Sequence, residues 1–349
     1  MSASAFVVRR GRASLRVQRR TASVFALCLV AIPLALVVSV AVGEFPVPLS
    51  EAFSALVGRG DPGTSFVIHD LRLPRALAAL LAGAALGISG AIFQEVTRNA
   101  LVSPDIVGVS GGASAAACAV IVLTPWDGPW AVPLGALAGA LVSGALLFGL
   151  SWRDGLTGYR VVLVGIGLSS LALALTSYVL TRGRVFEVGE AYVWLVGTVN
   201  GRGWDQVTPL AMSMVLLVPA SLLAGRQLDA LVLGDDIARG LGAPVGRSRA
   251  GLLVLATLLT AVAVATAGPI GFVAFIAPHL ARRALDSRSA TALMPASAAC
   301  GALLVLVADV VSRLIFAPTE MPVGLITSIL AAPYFLVMLR RAANLGAAG

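Results

Sequence analysis

The sequence predicts an all-α membrane protein of ten transmembrane helices in a single domain, and three observations carry that expectation. Charge-free apolar runs recur from Thr21 to Leu339. The longest of them is interrupted by Gly268-Pro269-Ile270-Gly271. All 25 basic residues are arginine, and they are shared unevenly between alternate loops.

In chain order, an Arg-rich segment (1–20) precedes the first run, 21–43. That run is longer than the roughly 7–15 apolar residues of a signal-peptide core, so it reads as a helix despite the faint cleavage-like Ala41-Val42-Gly43. Runs 76–94, 106–126, 128–152, 161–181, 206–225, 289–308 and 321–339 also lack Asp, Glu and Arg. Each is long enough to cross about 30 Å of hydrocarbon. Residues 250–281 are charge-free too, but one helix of that length would measure about 48 Å at about 1.5 Å per residue. The Gly-Pro-Ile-Gly break divides it into two short helices, which completes ten spans.

Arginine placement tests the count, because short cytoplasmic loops are enriched in positive charge. Ten spans with a cytoplasmic N-terminus put 18 arginines inside and 7 outside. Fusing 250–281 into one span gives 14 against 11. Both termini, including the tail 342–349, are therefore expected in the cytoplasm, flanking one membrane domain over 21–341. The same placement accounts for the net charge of +8 without nucleic acid.

The absence of lysine removes whole chemistries. A Walker-type phosphate loop needs a lysine, as does a Schiff base, so any ATP used must be hydrolysed by another chain. No catalytic site, metal site or bound cofactor is expected. His69 and His279 are far apart in sequence and read as a loop and a helix-end histidine. Cys28, Cys118 and Cys300 stand singly in apolar sequence and read as packing residues. An ion-coupled transporter usually keeps an ionisable group at mid-membrane. Here Asp309 and Glu95 fall only at span ends, which weakens that alternative without removing it. Thr176, Ser177 and Tyr178 suit either a neutral passage or hydrogen bonds within a bundle. The pairs Gly83/Gly87, Gly108/Gly112 and Gly135/Gly139 have the spacing that lets helix backbones approach closely.

The longest cytoplasmic loop, 226–249, carries capping signals. Asp235 and Asp236 favour a helix start, Gly242 a left-handed cap, and Pro244 the first turn of a second short helix. Two short capped helices on the cytoplasmic face form either a docking surface or an ordinary loop.

Several segments together resemble a known family. They are Leu71-Arg72-Leu73-Pro74-Arg75, the stretch 83–94, Arg98 to Ser110, the loop 226–249, Gly268 to Phe272 with Ala277-Pro278-His279, and Met321-Pro322-Val323-Gly324. The chain resembles the permease subunits of type II ATP-binding-cassette (ABC) importers for iron-siderophores, haem and vitamin B12. Within that family, Trp152-Arg153-Asp154-Gly155, Leu195 to Trp204, and Leu233 to Asp236 with Arg247-Ser248-Arg249 are similar to ferric enterobactin permeases. This favours a ferric siderophore as substrate over cobalamin or haem.

The resemblance implies a bacterial plasma-membrane protein with several partners. These are a second permease (a paralogue in a heterodimer, or an identical copy), two ATPases that bind ATP and magnesium, and an extracytoplasmic siderophore-binding protein. It implies that Arg72, Arg75 and Arg313 face outward to receive carboxylates of the binding protein; taken alone, Arg72 and Arg75 could simply snorkel at a helix end. It implies that Gly234, Asp235, Asp236, Ala238, Arg239, Leu241 and Gly242 form a coupling helix for the ATPase. A cytoplasmic gate is implied at Asn99, Leu101, Thr157, Gly158 and Tyr159. Ala100, where the family usually has proline, and Gly158-Tyr159 depart from its pattern.

Overall fold

A computed structural model of the chain describes residues 5–10, 13–43, 47–126, 128–153, 155–285, 289–315 and 319–346. Asp154 and the last three tail residues lie outside the described residues. The Arg-rich start contains a feature the sequence reading lacks, an antiparallel hairpin of β1 (Ala5–Arg10) and β2 (Ala13–Gln18) that pairs Phe6 with Val17.

Helix α1 (Arg19–Ala41) leads to the short α2 (Leu49–Leu56) and α3 (Pro62–Phe66). A π-helical stretch, Val67–Arg72, runs into α4 (Leu73–Thr97). Then follow α5 (Val109–Leu123), α6 (Ala131–Ser151), α7 (Gly158–Leu180), the short α8 (Val185–Val196) and α9 (Trp204–Leu223). The small helices α10 (Gly225–Val232) and α11 (Asp235–Gly240) precede α12 (Val245–Ala267). The chain finishes with α13 (Val273–Ala284), α14 (Ala290–Ile315) and α15 (Val323–Gly346).

Seven of these helices are long and apolar enough to cross a membrane, and α5 and α15 add two shorter apolar ones. Helix α13 makes the tenth membrane element among the described residues. The expected break is present at Gly268, but the two halves are unequal. Helix α12 reaches back through Arg249 and Arg247 to Val245 and is full length, whereas α13 has 12 residues, about 18 Å, and cannot cross alone. The bared backbone between them is satisfied within the protein: the Thr198 N–H donates to Ala267 O at 2.7 Å and the Phe272 N–H donates to Asp105.

Helix α4 is the core, buried over most of its length against α12, α13 and α14. Small residues allow that contact. A Cβ on Gly83 would lie 2.3 Å from Gly301 O, and one on Gly87 would lie 2.1 Å from Ser297 O. The same holds between α5 and α6, where Gly112 and Gly139 face each other. Gly83, Gly87, Gly112, Gly135 and Gly139 of the expected pairs thus lie at close helix approaches, and Gly90, outside those pairs, is closer still, a Cβ on it falling 1.7 Å from Ala274 O.

Candidate functional site

Two clusters of charged residues form, one at each end of the bundle, and every cross-chain pair in them joins residues that the arginine count places on the same side. At the end assigned to the cytoplasm, Arg20 donates to Arg283 O and Ala284 O, both at 2.8 Å. There too Arg282 pairs with Glu95 at 2.8 Å.

The segment expected to couple to an ATPase is at this end. Gly234 (φ 114°) starts α11, whose first turn carries Asp235 and Asp236. Gly242 (φ 79°) ends it in a Schellman motif, with Ala243 N–H on Ala238 O and Gly242 N–H on Arg239 O, both 2.9 Å. The two short helices are α10 and α11; Pro244 opens the membrane helix α12 and not a second surface helix.

Asp235 is the centre of the cluster. Its Oδ1 accepts from Arg98 Nη2 at 2.7 Å and from Arg249 Nη2 at 2.9 Å. Arg98, in the left-handed cap of α4 (φ 51°), also donates to Leu231 O, and Arg249 donates to Leu156 O. Burial alone would raise the Asp235 pKa, but hydrogen bonds and charge from Arg249 and Arg98 outweigh it and hold the carboxyl below the ordinary carboxylate range. The side chain thereby links α11, the end of α4 and the loop before α7.

These links bring the expected gate residues together. Asn99 Oδ1 caps the Leu101 N–H at 3.0 Å, and Leu101 is partly exposed. A Cβ on Gly158 would meet Thr97 O at 2.7 Å, which explains glycine at that position, and Tyr159 beside it is exposed. Thr157 precedes the first turn of α7. Arg98, Arg249 and the Leu156 carbonyl tie the set together; the sequence counted the two arginines for topology and within family-like segments without giving them this role.

Around α11, Ala238 is fully buried while Leu233, Ile237 and Leu241 are exposed at 56, 56 and 68 %. Ile237 and Leu241 are four apart on the free side of α11, and Leu233 ends α10 just before the break at Gly234. Asp236 and Arg239 pair beside them at 3.0 Å. Behind them, Asp229 of α10 accepts from Thr291 Oγ1 at 2.6 Å, from Ser289 Oγ and from the Ala290 N–H. It thus caps the N-terminus of α14 from another helix.

At the opposite end, Arg72, Arg75 and Arg313 come together as expected, but their charged groups turn inward. All three residues are at most 9 % exposed. Arg75 grips Asp309 (2.9 Å), Glu320 (2.7 Å) and Asn200 Oδ1 (3.2 Å). Arg313 pairs with Asp309 at 2.8 Å and donates to Ser39 O and Val42 O. Arg72 donates to Val40 O and Ala41 O, both at 3.0 Å. Two guanidinium groups thus cover the carbonyl end of α1, where the helix dipole is negative. Asp309, expected at a span end, lies fully buried inside α14, which continues through Arg313 because the two charges neutralise each other. His69 and His279 each bond a main-chain carbonyl, of Ala55 and Phe275.

A ten-element helical membrane domain with a capped helix pair on one face and a buried arginine cluster on the other defines a polytopic membrane permease. The chain belongs to the FecCD transport family, whose model matches residues 29–341. It is 39 % identical over 297 residues to the ferric enterobactin transport system permease protein FepG of Escherichia coli (strain K12), covering 85 % of this chain and 89 % of that one. It is 38 % identical over 320 residues to the probable siderophore transport system permease protein YfhA of Bacillus subtilis (strain 168), covering 88 % and 92 %. Among solved structures, a metal-chelate type ABC transporter in an inward-facing conformation matches with a TM-score of 0.80 at 25 % identity, over 92 % of this chain and 99 % of the other.

Proposed function

We propose that the chain is the permease subunit of an ABC importer that carries a ferric siderophore across the bacterial plasma membrane, powered by ATP hydrolysed on two partner ATPases. Both termini are then cytoplasmic, the α10–α11 end faces the ATPases, and the arginine cluster faces a siderophore-binding protein. A paralogous second permease completes the passage; recovery of two identical permeases on purification would replace the heterodimer with a homodimer.

The observation that carries this reading is the exposed apolar patch of Leu233 at the end of α10 with Ile237 and Leu241 of the α11 turn. An apolar patch exposed to the cytoplasm beside a charged pair is the pattern of a segment seated in a partner's groove. The ties from Asp235 to Arg98 and Arg249 supply a route from that seat to Asn99, Leu101 and Thr157 to Tyr159, the proposed gate. Of the three outer arginines, Arg75 is placed to exchange carboxylates, because its partner Glu320 keeps 24 % of its side-chain surface. Arg72 and Arg313 hold the outer face in shape.

Uptake of iron-55 siderophores in cells, with purification of the chain and its partners, tests the reading. Gly242→Pro should abolish uptake and ATPase co-purification at normal permease level. Full uptake by that variant would overturn the coupling role, and purification without any ATPase would overturn the importer reading.

A further inference from the structure

The arginine count puts seven arginines at the outer end, and all but two are committed inside the chain. Arg72, Arg75 and Arg313 form the cluster described above; Arg182 bonds Tyr178 Oη at 2.9 Å and Arg184 pairs with Glu187 at 2.8 Å. Arg59 is exposed to water. Arg202 differs from all of these. It is half-buried, its Nε is enclosed without an acceptor, and among the described residues no carboxylate pairs with it. Burial pushes its pKa down and no neighbouring charge offsets that. Asp205, three residues on, is exposed and forms no ion pair with it.

The loop bearing Arg202 is held firmly. Thr198 N–H donates to Ala267 O at 2.7 Å, Asn200 Oδ1 accepts from Arg75, Gly203 N–H donates to Gln206 Oε1 at 3.0 Å, and Trp204 Nε1 donates to His69 O at 2.9 Å. Glycines flank Arg202 on both sides. No atom comes within 4 Å of a Cβ built on Gly201, and one on Gly203 meets only Gln206 Oε1 at 3.8 Å. A half-buried guanidinium on a fixed loop, its Nε without an acceptor, is a donor set lacking its anion.

We propose that Arg202 is an oxyanion site at the outer entrance, taking a carboxylate or catecholate oxygen of the incoming iron chelate; the inference rests on the importer reading above. Because a charge-assisted hydrogen bond is lost, Arg202→Gln weakens binding of an anionic ferric chelate about tenfold. Arg202→Lys keeps the charge and recovers part of the affinity. A neutral ferric trihydroxamate is unaffected.

The test is equilibrium binding of iron-55 as ferric citrate, as a ferric tris-catecholate and as a neutral trihydroxamate. It uses the complete importer, purified with its partner chains in lipid nanodiscs, with thermal melting to confirm that each variant is folded. A selective loss of anionic-chelate binding in Arg202→Gln, partly restored in Arg202→Lys, supports the site. Equal behaviour of wild type and Arg202→Gln toward every anionic chelate, including no binding by either at millimolar concentration, overturns it. A variant that loses only its association with the binding protein also overturns it. Uptake measured in parallel separates the two ideas: uptake insensitive to Arg202 discards the site and keeps the importer, whereas Arg202-dependent binding without uptake does the reverse.

Discussion

The Arg249 guanidinium lies 2.9 Å from the Asp235 carboxylate, and its side chain is 6 % exposed against 30 % for its partner. The arginine is the buried member, so removal of the carboxylate strands a desolvated cation. Asp235→Asn should therefore destabilise the purified chain by about 1–2 kcal/mol, less than the roughly 3–5 kcal/mol of a fully buried pair because Asp235 is partly solvated. Thermal melting in detergent checks this, and a melting temperature equal to wild type would count against the pairing.

The same pair fixes a pH dependence. A carboxyl held below its ordinary pKa contributes stability that is full above the unfolded value, about 3.9, and is lost as pH falls through the lower folded value. The stability difference between wild type and Asp235→Asn should be constant from pH 5 to 8 and shrink below about pH 4. Melting curves across that range measure it; a difference that grows with acidification would refute the assignment.

At the other end, Asp309 is fully buried between Arg75 and Arg313. Asp309→Asn should cost about 3 kcal/mol or more, whereas Glu320→Gln, at the surface, should cost about 1 kcal/mol or less. Comparing folded yield and melting temperature of the two variants gives the order, and a reversed order would show that Glu320 is the main anchor.

Close helix approach gives a sharper contrast. A Cβ on Gly90 would fall 1.7 Å from Ala274 O, while one on Gly149 meets nothing within 4 Å. Gly90→Ala should lower stability by about 1–3 kcal/mol and Gly149→Ala should be neutral. Thermal melting of the two purified variants is the check.

The exposed apolar patch at the α10–α11 junction is expected to matter to a partner and not to the fold. Leu233, Ile237 and Leu241 changed together to serine should leave the melting temperature within about 1 °C, since exposed substitutions rarely exceed about 0.5 kcal/mol. The same variant should lose ATPase co-purification. Retained co-purification would move the docking surface elsewhere.

Much of this architecture was legible in the sequence because hydrocarbon imposes a simple rule of length and charge. The break at Gly268, the glycine contacts and the Gly242 cap all follow from local chemistry that a sequence displays. The orientation of Arg72, Arg75 and Arg313 did not, because the end of α1 that holds Arg72 and Arg313, and the carboxylates that hold Arg75, are remote in the chain; only the Arg313–Asp309 pair is local, four residues apart. Span limits drawn where charge begins cut α12 and α14 short, since a paired or helix-end charge costs little. The role of Arg98 and Arg249 was hidden for the same reason: Asp235, which gives them meaning, is 137 and 14 residues away. Arg202 could be recognised only by subtraction, once the other outer arginines were found either paired or, like Arg59, exposed to water.

Asp229 gives the α10–α11 segment a hold on the opposite end of the bundle. It belongs to α10 yet provides the acceptor for the first turn of α14, a 26-residue helix about 39 Å long whose far end carries Asp309 and Arg313. A push on α10 must either drag this strut with it or leave its first turn bare. A displacement of α10 at one end of the bundle is therefore felt, along one continuous helix, by the arginines at the other.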